Sequence, residues 1–158
     1  MKKEFLVDFD GVIINSQEKF LEVMGDNKNP DDWLKYLRSI NWYLFLRECE
    51  EIDESISTLI TLQELKKLRG IITAIHSFPE GEEKSIYLRE RDIIVPIYYV
   101  LPHQKKSEVF IPKRHQVLVD DKKGKCLEWE KDGGSFLLLD TKLDHKEKGK
   151  IKSLKELL

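Results

Sequence analysis

Two short apolar segments, each followed directly by acidic residues, constrain the fold more than any other feature of this sequence. Asp8 and Asp10 follow apolar residues 5–7, and a second pair of acids, Asp120 and Asp121, follows an equally apolar segment. Short apolar runs of this kind are typical of buried strands in a parallel sheet. Residues that follow such strands gather at one edge of the sheet. The sequence therefore predicts an acidic site at that edge.

The rest of the chain alternates strand and helix patterns, which predicts an α/β fold with a parallel sheet of about five strands flanked by helices. The predicted strands are residues 5–7, 71–75, 93–101, 116–119 and 135–139, and predicted helices include residues 16–24, 79–91, 123–131 and 151–158. Pro96 is expected to delay the start of the strand within residues 93–101. Residues 16–68 show helical patterns only, and the last of these is predicted to end at Gly70. We therefore expect a core domain of residues 1–15 and 69–158, with residues 16–68 inserted as a small helical cap.

Composition excludes several function classes. The chain has 27 Lys and Arg against 29 Asp and Glu, a formal net charge of -2, which argues against a protein that grips a nucleic-acid polymer. Its two cysteines form no zinc pattern. No segment approaches the roughly 20 apolar residues of a membrane span, and the apolar run near the start is too short for a signal peptide. We expect a soluble cytoplasmic protein, compatible with a homodimer, whose partner is a small phosphorylated molecule.

Four carboxylates at one sheet edge would repel one another, and a bound cation would relieve that repulsion. A small cluster of hard oxygen ligands favours Mg²⁺, which also takes phosphate oxygens. Thr73, near the end of the second predicted strand, and a lysine of the pair Lys105 and Lys106 are candidates to contact a phosphate.

Taken together, these residues resemble the four motifs of the haloacid-dehalogenase (HAD) superfamily of phosphatases. The motifs occur in the family's order, as Asp8-Phe9-Asp10-Gly11-Val12-Ile13, Ile71-Ile72-Thr73, Lys106-Ser107-Glu108-Val109 and Val117-Leu118-Val119-Asp120-Asp121. Trp129 and Gly133-Gly134, together with the inserted cap, resemble the 5'(3')-deoxyribonucleotidase branch. The resemblance implies a HAD-like Rossmannoid fold.

The resemblance also implies a reaction. Asp8 would attack phosphorus and form an aspartyl-phosphate, while Asp10 would act as general acid and then as general base. Mg²⁺ would be held by Asp8, the backbone carbonyl of Asp10 and Asp120, with Asp121 bound directly or through water.

Phosphate binding would fall to Thr73, the adjacent Ala74 and Lys106. Lys105 and Lys113 are alternatives for the lysine, since both also precede the fourth motif. The implied activity is a magnesium-dependent phosphomonoesterase, with a nucleoside monophosphate as the predicted substrate.

Three other functions are compatible with parts of the sequence. A catalytically silent phosphate-binding or regulatory module would keep the fold, but binding alone does not need a general acid such as Asp10. A receiver domain has its acid pair after the first strand and its phosphorylated aspartate after the third, the reverse of the order here. A polynucleotide end phosphatase is disfavoured by the slightly acidic chain.

Two further groups of residues have both a functional and a structural interpretation. Aromatic residues of the cap could stack on a nucleobase, but a cap core is the expected role of Trp33, Trp42, Tyr43 and Phe45. His76 follows the second strand without a matched ligand pattern, so we expect a structural role for it.

Overall fold

A single parallel sheet organises the molecule. The computed structural model describes residues 1–158. The six strands are β1 Glu4–Val7, β2 Leu68–Ala74, β3 Ile97–Val100, β4 Gln116–Asp120, β5 Ser135–Leu139 and β6 Lys150–Ile151. All pairings are parallel, in the order β3-β2-β1-β4-β5-β6. The predicted α/β class is confirmed, with one short edge strand more than the five expected.

Helices occupy the connections between the strands. They are α1 Ser16–Met24, α2 Pro30–Ser39, α3 Trp42–Glu48, α4 Ser55–Glu64, α5 Phe78–Glu90 and α6 Lys123–Lys131, with short 3₁₀ helices at Lys106–Glu108 and Leu154–Leu157. Asparagine side chains cap the first three helices. The side-chain oxygens of Asn15, Asn29 and Asn41 accept hydrogen bonds from the free backbone N–H groups at the starts of α1, α2 and α3. The side chain of Ser77 caps α5 in the same way.

The prediction that a helix ends at Gly70 is wrong. Helix α4 ends at Glu64, and Gly70 lies inside β2, whose first residue is Leu68. A Cβ at Gly70 would lie 2.8 Å from the backbone oxygen of Pro96. This glycine therefore serves the close approach of β2 and β3 and does not end a helix.

The third strand begins at Ile97, directly after Pro96, which has no N–H to give to the sheet. The delayed start that the sequence predicts at Pro96 is confirmed. The predicted closing helix of residues 151–158 is wrong. Ile151 ends β6, and the chain then forms a 3₁₀ turn that Ser153 caps.

The hydrophobic core lies on both faces of the sheet. Phe5 and Val7 belong to a large cluster on one face, while Leu6 packs with Trp129 on the other. Alternate residues of β1 thus serve opposite faces, as expected for a strand covered on both sides.

Helices of the inserted segment differ in how they pack. Trp42, Leu46 and Leu59, from α3 and α4, are buried in the same large cluster as the sheet. Helix α2 buries no residue. The cap boundaries at residues 16 and 68 stay a prediction, but α3 and α4 share the core of the sheet.

Both cysteines, Cys49 and Cys126, are buried and unpaired. None of the helices combines the length and the apolar character needed to cross a membrane.

Candidate active site

The central position of β1 brings the predicted site residues together. Strands β2 and β4 flank β1 in parallel, so the three carboxyl ends lie side by side. Asp8 follows β1, Thr73 lies near the end of β2, and Asp120 ends β4. The backbone N–H of Asp8 donates to the oxygen of Val119 at 3.0 Å, which ties the two acidic segments to each other.

Lys106 connects two of these acids. Its Nζ lies 2.9 Å from Asp8 Oδ1 and 2.7 Å from Asp120 Oδ2. The lysine begins the short 3₁₀ helix and is buried. The two alternative lysines, Lys105 and Lys113, are exposed. Of the three lysines considered from the sequence, only Lys106 reaches the acids.

Asp121 adds a third carboxylate to this pair. Oxygens of Asp8, Asp120 and Asp121 all lie within 4.8 Å of one another. Asp121 Oδ1 is buried without a hydrogen-bond partner, and Oδ2 accepts only a long bond of 3.3 Å from Gln17. Three oxygen ligands and one orphaned buried carboxylate oxygen suit a divalent cation.

Burial and repulsion between neighbouring carboxylates raise the pKa of two of these acids. Burial, together with Asp120 and Asp10, raises the pKa of Asp8 to about 7 despite the opposing effect of Lys106. Burial and the adjacent charge of Asp120 raise the pKa of Asp121 to about 6. A bound cation would lower both values by favouring the ionised carboxylates.

Gly11 is required by its conformation and by its neighbour. Its φ is +77°, a backbone region that strains other residues. A Cβ at this position would lie 2.2 Å from Asp121 Oδ2. The glycine of the first motif thus lets the loop after β1 pass directly against an acid of the fourth.

Asp10 lies in a different environment from the three clustered acids. Its Oδ1 accepts a hydrogen bond from the Ser16 hydroxyl at 2.7 Å, and its Oδ2 accepts one from Lys84 Nζ at 2.8 Å. Burial would raise the pKa of Asp10, but the lysine and the hydroxyl outweigh it, and the pKa is lowered. Asp10 is therefore held as a carboxylate.

Thr73 and Ala74, predicted to contact phosphate, both contact the same lysine. Lys84 Nζ lies 3.0 Å from Thr73 Oγ1 and 3.0 Å from the backbone oxygen of Ala74. The structure thus places both residues beside Asp10, at the end of β2. Their role in phosphate binding stays a prediction.

Lys84 lies outside the motifs that predict the other site residues. A signal for it exists, because the buried positions of α5 recur at helical spacing and include Glu80 and Lys84. Two opposite charges on the stripe that otherwise faces the core are unusual enough to indicate a buried ion pair.

A cleft of about 510 Å³ opens beside Asp121. Its walls come from four segments of the chain, and its lining residues are Gly11, Asn15, Gln17, Glu50, Glu51, Ile52, Asp53, Asp121, Leu139, Asp140, Thr141 and Lys142. No aromatic side chain lines it. The cap aromatics instead pack on one another, with the Phe20 ring against those of Trp33 and Phe45.

Comparison with known proteins gives a fold-level result. No protein-family model matches the chain, and no curated protein matches its sequence. A HAD-superfamily hydrolase from Ehrlichia chaffeensis aligns over 99% of this chain and 95% of its own, with 12% identity and a TM-score of 0.58. A HAD hydrolase of family IA, variant 3, from Entamoeba histolytica aligns over 98% and 94%, with 13% identity and a TM-score of 0.62.

The chain has the fold of the HAD-superfamily hydrolases. Both HAD neighbours match nearly the whole chain, so the likeness includes the inserted helices as well as the sheet. At such low identity the likeness concerns the HAD fold alone. The nucleotidase branch stays a prediction from the sequence.

Proposed function

We propose that the protein is a magnesium-dependent phosphomonoesterase that works through an aspartyl-phosphate on Asp8. The observation that carries this proposal is a buried carboxylate with one oxygen on Lys106, beside two further acids at the carboxyl edge of a HAD fold. Asp8 Oδ1 is engaged by the lysine, so Oδ2 is the oxygen available to attack phosphorus.

In the first step Asp8 Oδ2 bonds to phosphorus and the bond from phosphorus to the ester oxygen breaks. The departing oxygen takes a proton from Asp10, the acid two residues further on. Asp10 must bind this proton before the first step, because the free protein favours its carboxylate form. Lys106 supplies positive charge beside the attacking carboxylate, and this charge offsets the negative charge of the arriving phosphate.

In the second step a water molecule attacks phosphorus and passes its proton to Asp10. The bond from phosphorus to Asp8 Oδ2 breaks, and inorganic phosphate leaves. Each turnover thus consumes one ester and one water molecule and restores both aspartates. The ionised Asp10 held by Ser16 and Lys84 is the form that this second step needs.

Asp8, Asp120 and Asp121 are the residues that would hold the cation. Their hard oxygens, the 4.8 Å cluster and the orphaned Oδ1 of Asp121 fit Mg²⁺. When bound, the cation would neutralise charge on the phosphoryl oxygens and on the carboxylates.

A nucleoside monophosphate is the substrate that the sequence predicts, and we keep it as the first candidate. Most of the residues that line the cleft are polar, including Asn15, Gln17 and Glu50. Such a lining can hydrogen-bond to sugar hydroxyls, whereas it offers no ring on which a base could stack. Sugar phosphates are therefore the natural comparison within a substrate panel.

The decisive experiment measures phosphate release from nucleoside monophosphates and sugar phosphates by the metal-free protein, before and after Mg²⁺ is added. Turnover should require Mg²⁺ and should disappear in Asp8→Asn. The matched control is Asp26→Asn, the same change at an exposed aspartate in the loop after α1, which should leave turnover unchanged.

Absence of turnover by folded wild-type protein on the whole panel would contradict the proposal. The remaining function would then be the phosphate-binding or regulatory module. Turnover that persists in Asp8→Asn would contradict the role of Asp8 alone.

A further inference from the structure

Lys84 is the most completely enclosed charged residue of the molecule. Its side chain is 0% exposed, and Nζ lies within 3.0 Å of four oxygens. These are Asp10 Oδ2 at 2.8 Å, Glu80 Oε2 at 2.8 Å, Thr73 Oγ1 at 3.0 Å and the oxygen of Ala74 at 3.0 Å. An ammonium has three protons, so every proton of Lys84 Nζ has an oxygen to which it can donate.

Burying an unneeded lysine would be costly, because its charge must leave water. Glu80 compensates that charge from one turn earlier on α5 and is itself 3% exposed. The backbone N–H of His76 donates to Glu80 Oε1 at 2.9 Å, so Glu80 is fixed at both oxygens. The lysine is thus anchored to α5 and to the β2–α5 loop, and its remaining contacts point to the site.

Those remaining contacts join two strands. Asp10 belongs to the loop after β1, while Thr73 and Ala74 end β2. Lys84 is the group that touches both. Phe9 is the residue between the two aspartates, and the centroid of its ring lies 5.2 Å from Lys84 Nζ, which adds a cation–π contact.

We infer that Lys84 is a positioning residue that fixes the Asp10 carboxylate, and with it Thr73, relative to the Asp8 nucleophile. This inference rests on the proposed phosphomonoesterase function. Lys84 takes no part in bond making. It acts through Asp10, which must face the leaving oxygen in the first step and the attacking water in the second.

This role predicts a dependence on the leaving group. An alkyl phosphate needs a proton on its departing oxygen, whereas 4-nitrophenolate leaves well without one. The value of kcat/KM reports only the steps through loss of the leaving group. Without Lys84, kcat/KM should therefore fall much more for an alkyl phosphate than for 4-nitrophenyl phosphate, by about 100-fold against about 10-fold or less.

The second step gives an independent readout. Misplaced Asp10 also activates water poorly, so the aspartyl-phosphate should accumulate. Rapid mixing of the variant with 4-nitrophenyl phosphate should then show a burst of about one nitrophenolate per protein molecule, followed by slow turnover. A lysine that served the fold alone would lower the active fraction and would produce neither effect.

The variants are Lys84→Met and the double variant Lys84→Met with Glu80→Gln. The single change leaves two buried carboxylates without their cation, and it can prevent folding. The double change removes one charge of each sign from the anchor and is the variant expected to fold. Lys131→Met, the same change at an exposed lysine at the end of α6, is the matched control and should behave as wild type.

The inference is supported if the folded double variant shows both the unequal loss of kcat/KM and the burst. An equal loss for both esters, or no loss, with active wild-type protein would overturn the role of Lys84 and leave the phosphatase proposal standing. Wild-type protein without any Asp8-dependent turnover would overturn both, since no reaction would remain for Lys84 to serve.

Discussion

Two buried lysines at this site each lie between two carboxylates, but the pKa values of the aspartates beside them shift in opposite directions. We refer to Lys106 with Asp8 and Asp120 as the Lys106 group, and to Lys84 with Asp10 and Glu80 as the Lys84 group. The distances from nitrogen to oxygen lie between 2.7 and 2.9 Å in both groups. The pKa of Asp8 is nevertheless raised, whereas the pKa of Asp10 is lowered.

Burial, with Asp120 and Asp10, raises the pKa of Asp8 against the effect of Lys106, whereas Lys84 and Ser16 outweigh burial at Asp10. Asp121 adds a carboxylate to the Lys106 group, and its Oδ1 has no partner. The carboxylates of the Lys84 group instead accept additional donors, namely the Ser16 hydroxyl and the N–H of His76. Similar distances therefore occur in an acidic group with one unpartnered oxygen, which is a candidate cation site, and in a group whose carboxylate oxygens all have partners.

Removing each lysine in turn should give the largest effects. Without metal, Lys84→Met and Lys106→Met should each lower the free energy of unfolding by about 3–5 kcal/mol, because each leaves buried charges uncompensated. Mg²⁺ should restore part of that stability to Lys106→Met, since a cation can occupy the same acidic group. It should restore none to Lys84→Met.

Urea unfolding at several Mg²⁺ concentrations would measure this contrast, with Lys131→Met as control. Equal recovery of the two variants would show that the groups do not differ in the way proposed.

Cation binding itself should separate the groups by a smaller amount. At 100 times its dissociation constant, Mg²⁺ should stabilise the wild-type protein by about 2.7 kcal/mol. Asp121→Asn should remove most of this gain, because Asp121 brings the orphaned oxygen. Glu80→Gln should keep it. Melting temperatures with and without Mg²⁺ test the pair, and loss of the gain in Glu80→Gln would place the cation elsewhere.

A pH titration sharpens the comparison further. The folded, metal-free protein holds a proton on Asp8 up to about pH 7, whereas the unfolded carboxyl releases it near 3.8. The folded state therefore binds more protons in this window, and stability attributable to Asp8 falls as pH rises through it.

Asp8→Asn has no such proton and should gain stability relative to wild type between pH 5 and 7, on the order of 2 kcal/mol. Asp10→Asn should show the reverse trend at lower pH, because the pKa of Asp10 is lowered from its ordinary value of 3.8 and its stabilisation is lost only as pH falls below that value. Paired denaturation curves at pH 5 and pH 8 measure the effect of Asp8→Asn, and curves at about pH 3 and pH 5 measure that of Asp10→Asn. Parallel curves for Asp8→Asn and wild type would contradict the raised pKa of Asp8.

The smallest expected effect concerns the link from the cap to Asp10. Ser16→Ala removes the 2.7 Å hydrogen bond at the first residue of α1 and should cost about 1 kcal/mol. The matched control is Ser85→Ala on α5, a half-buried serine away from the acids. A cost equal to that of the control would mean that the Ser16 bond contributes nothing to the Lys84 group.

Much of the fold could be predicted from local patterns. The apolar runs ending at Asp8 and Asp120 identify β1 and β4, and helices α1 and α6 begin and end where the sequence predicts. The helical pattern extended to Gly70 is wrong, because a buried residue such as Leu68 suits the start of a strand as well as a buried helix face.

The sequence likewise predicts some of the site residues and misses others. Asp8, Asp120 and Lys106 could be predicted because each lies in a sequence motif, and the structure brings these three residues together. Lys84 lies within a helix rich in charged residues, where a lysine ordinarily faces water. Its tertiary contacts with Asp10 after β1 and with Thr73 and Ala74 of β2 show that this one is buried.

The order of the strands also has a consequence for synthesis on the ribosome. Glu4 in β1 and Gln116 in β4 are hydrogen-bonded neighbours although 112 residues separate them. At ordinary translation speeds, β1 waits on the order of 10 s before its partner has been made. Asp8 therefore spends that interval without Asp120 and Lys106, and the growing chain meets the repulsion among the acids only at the moment when their lysine has also emerged.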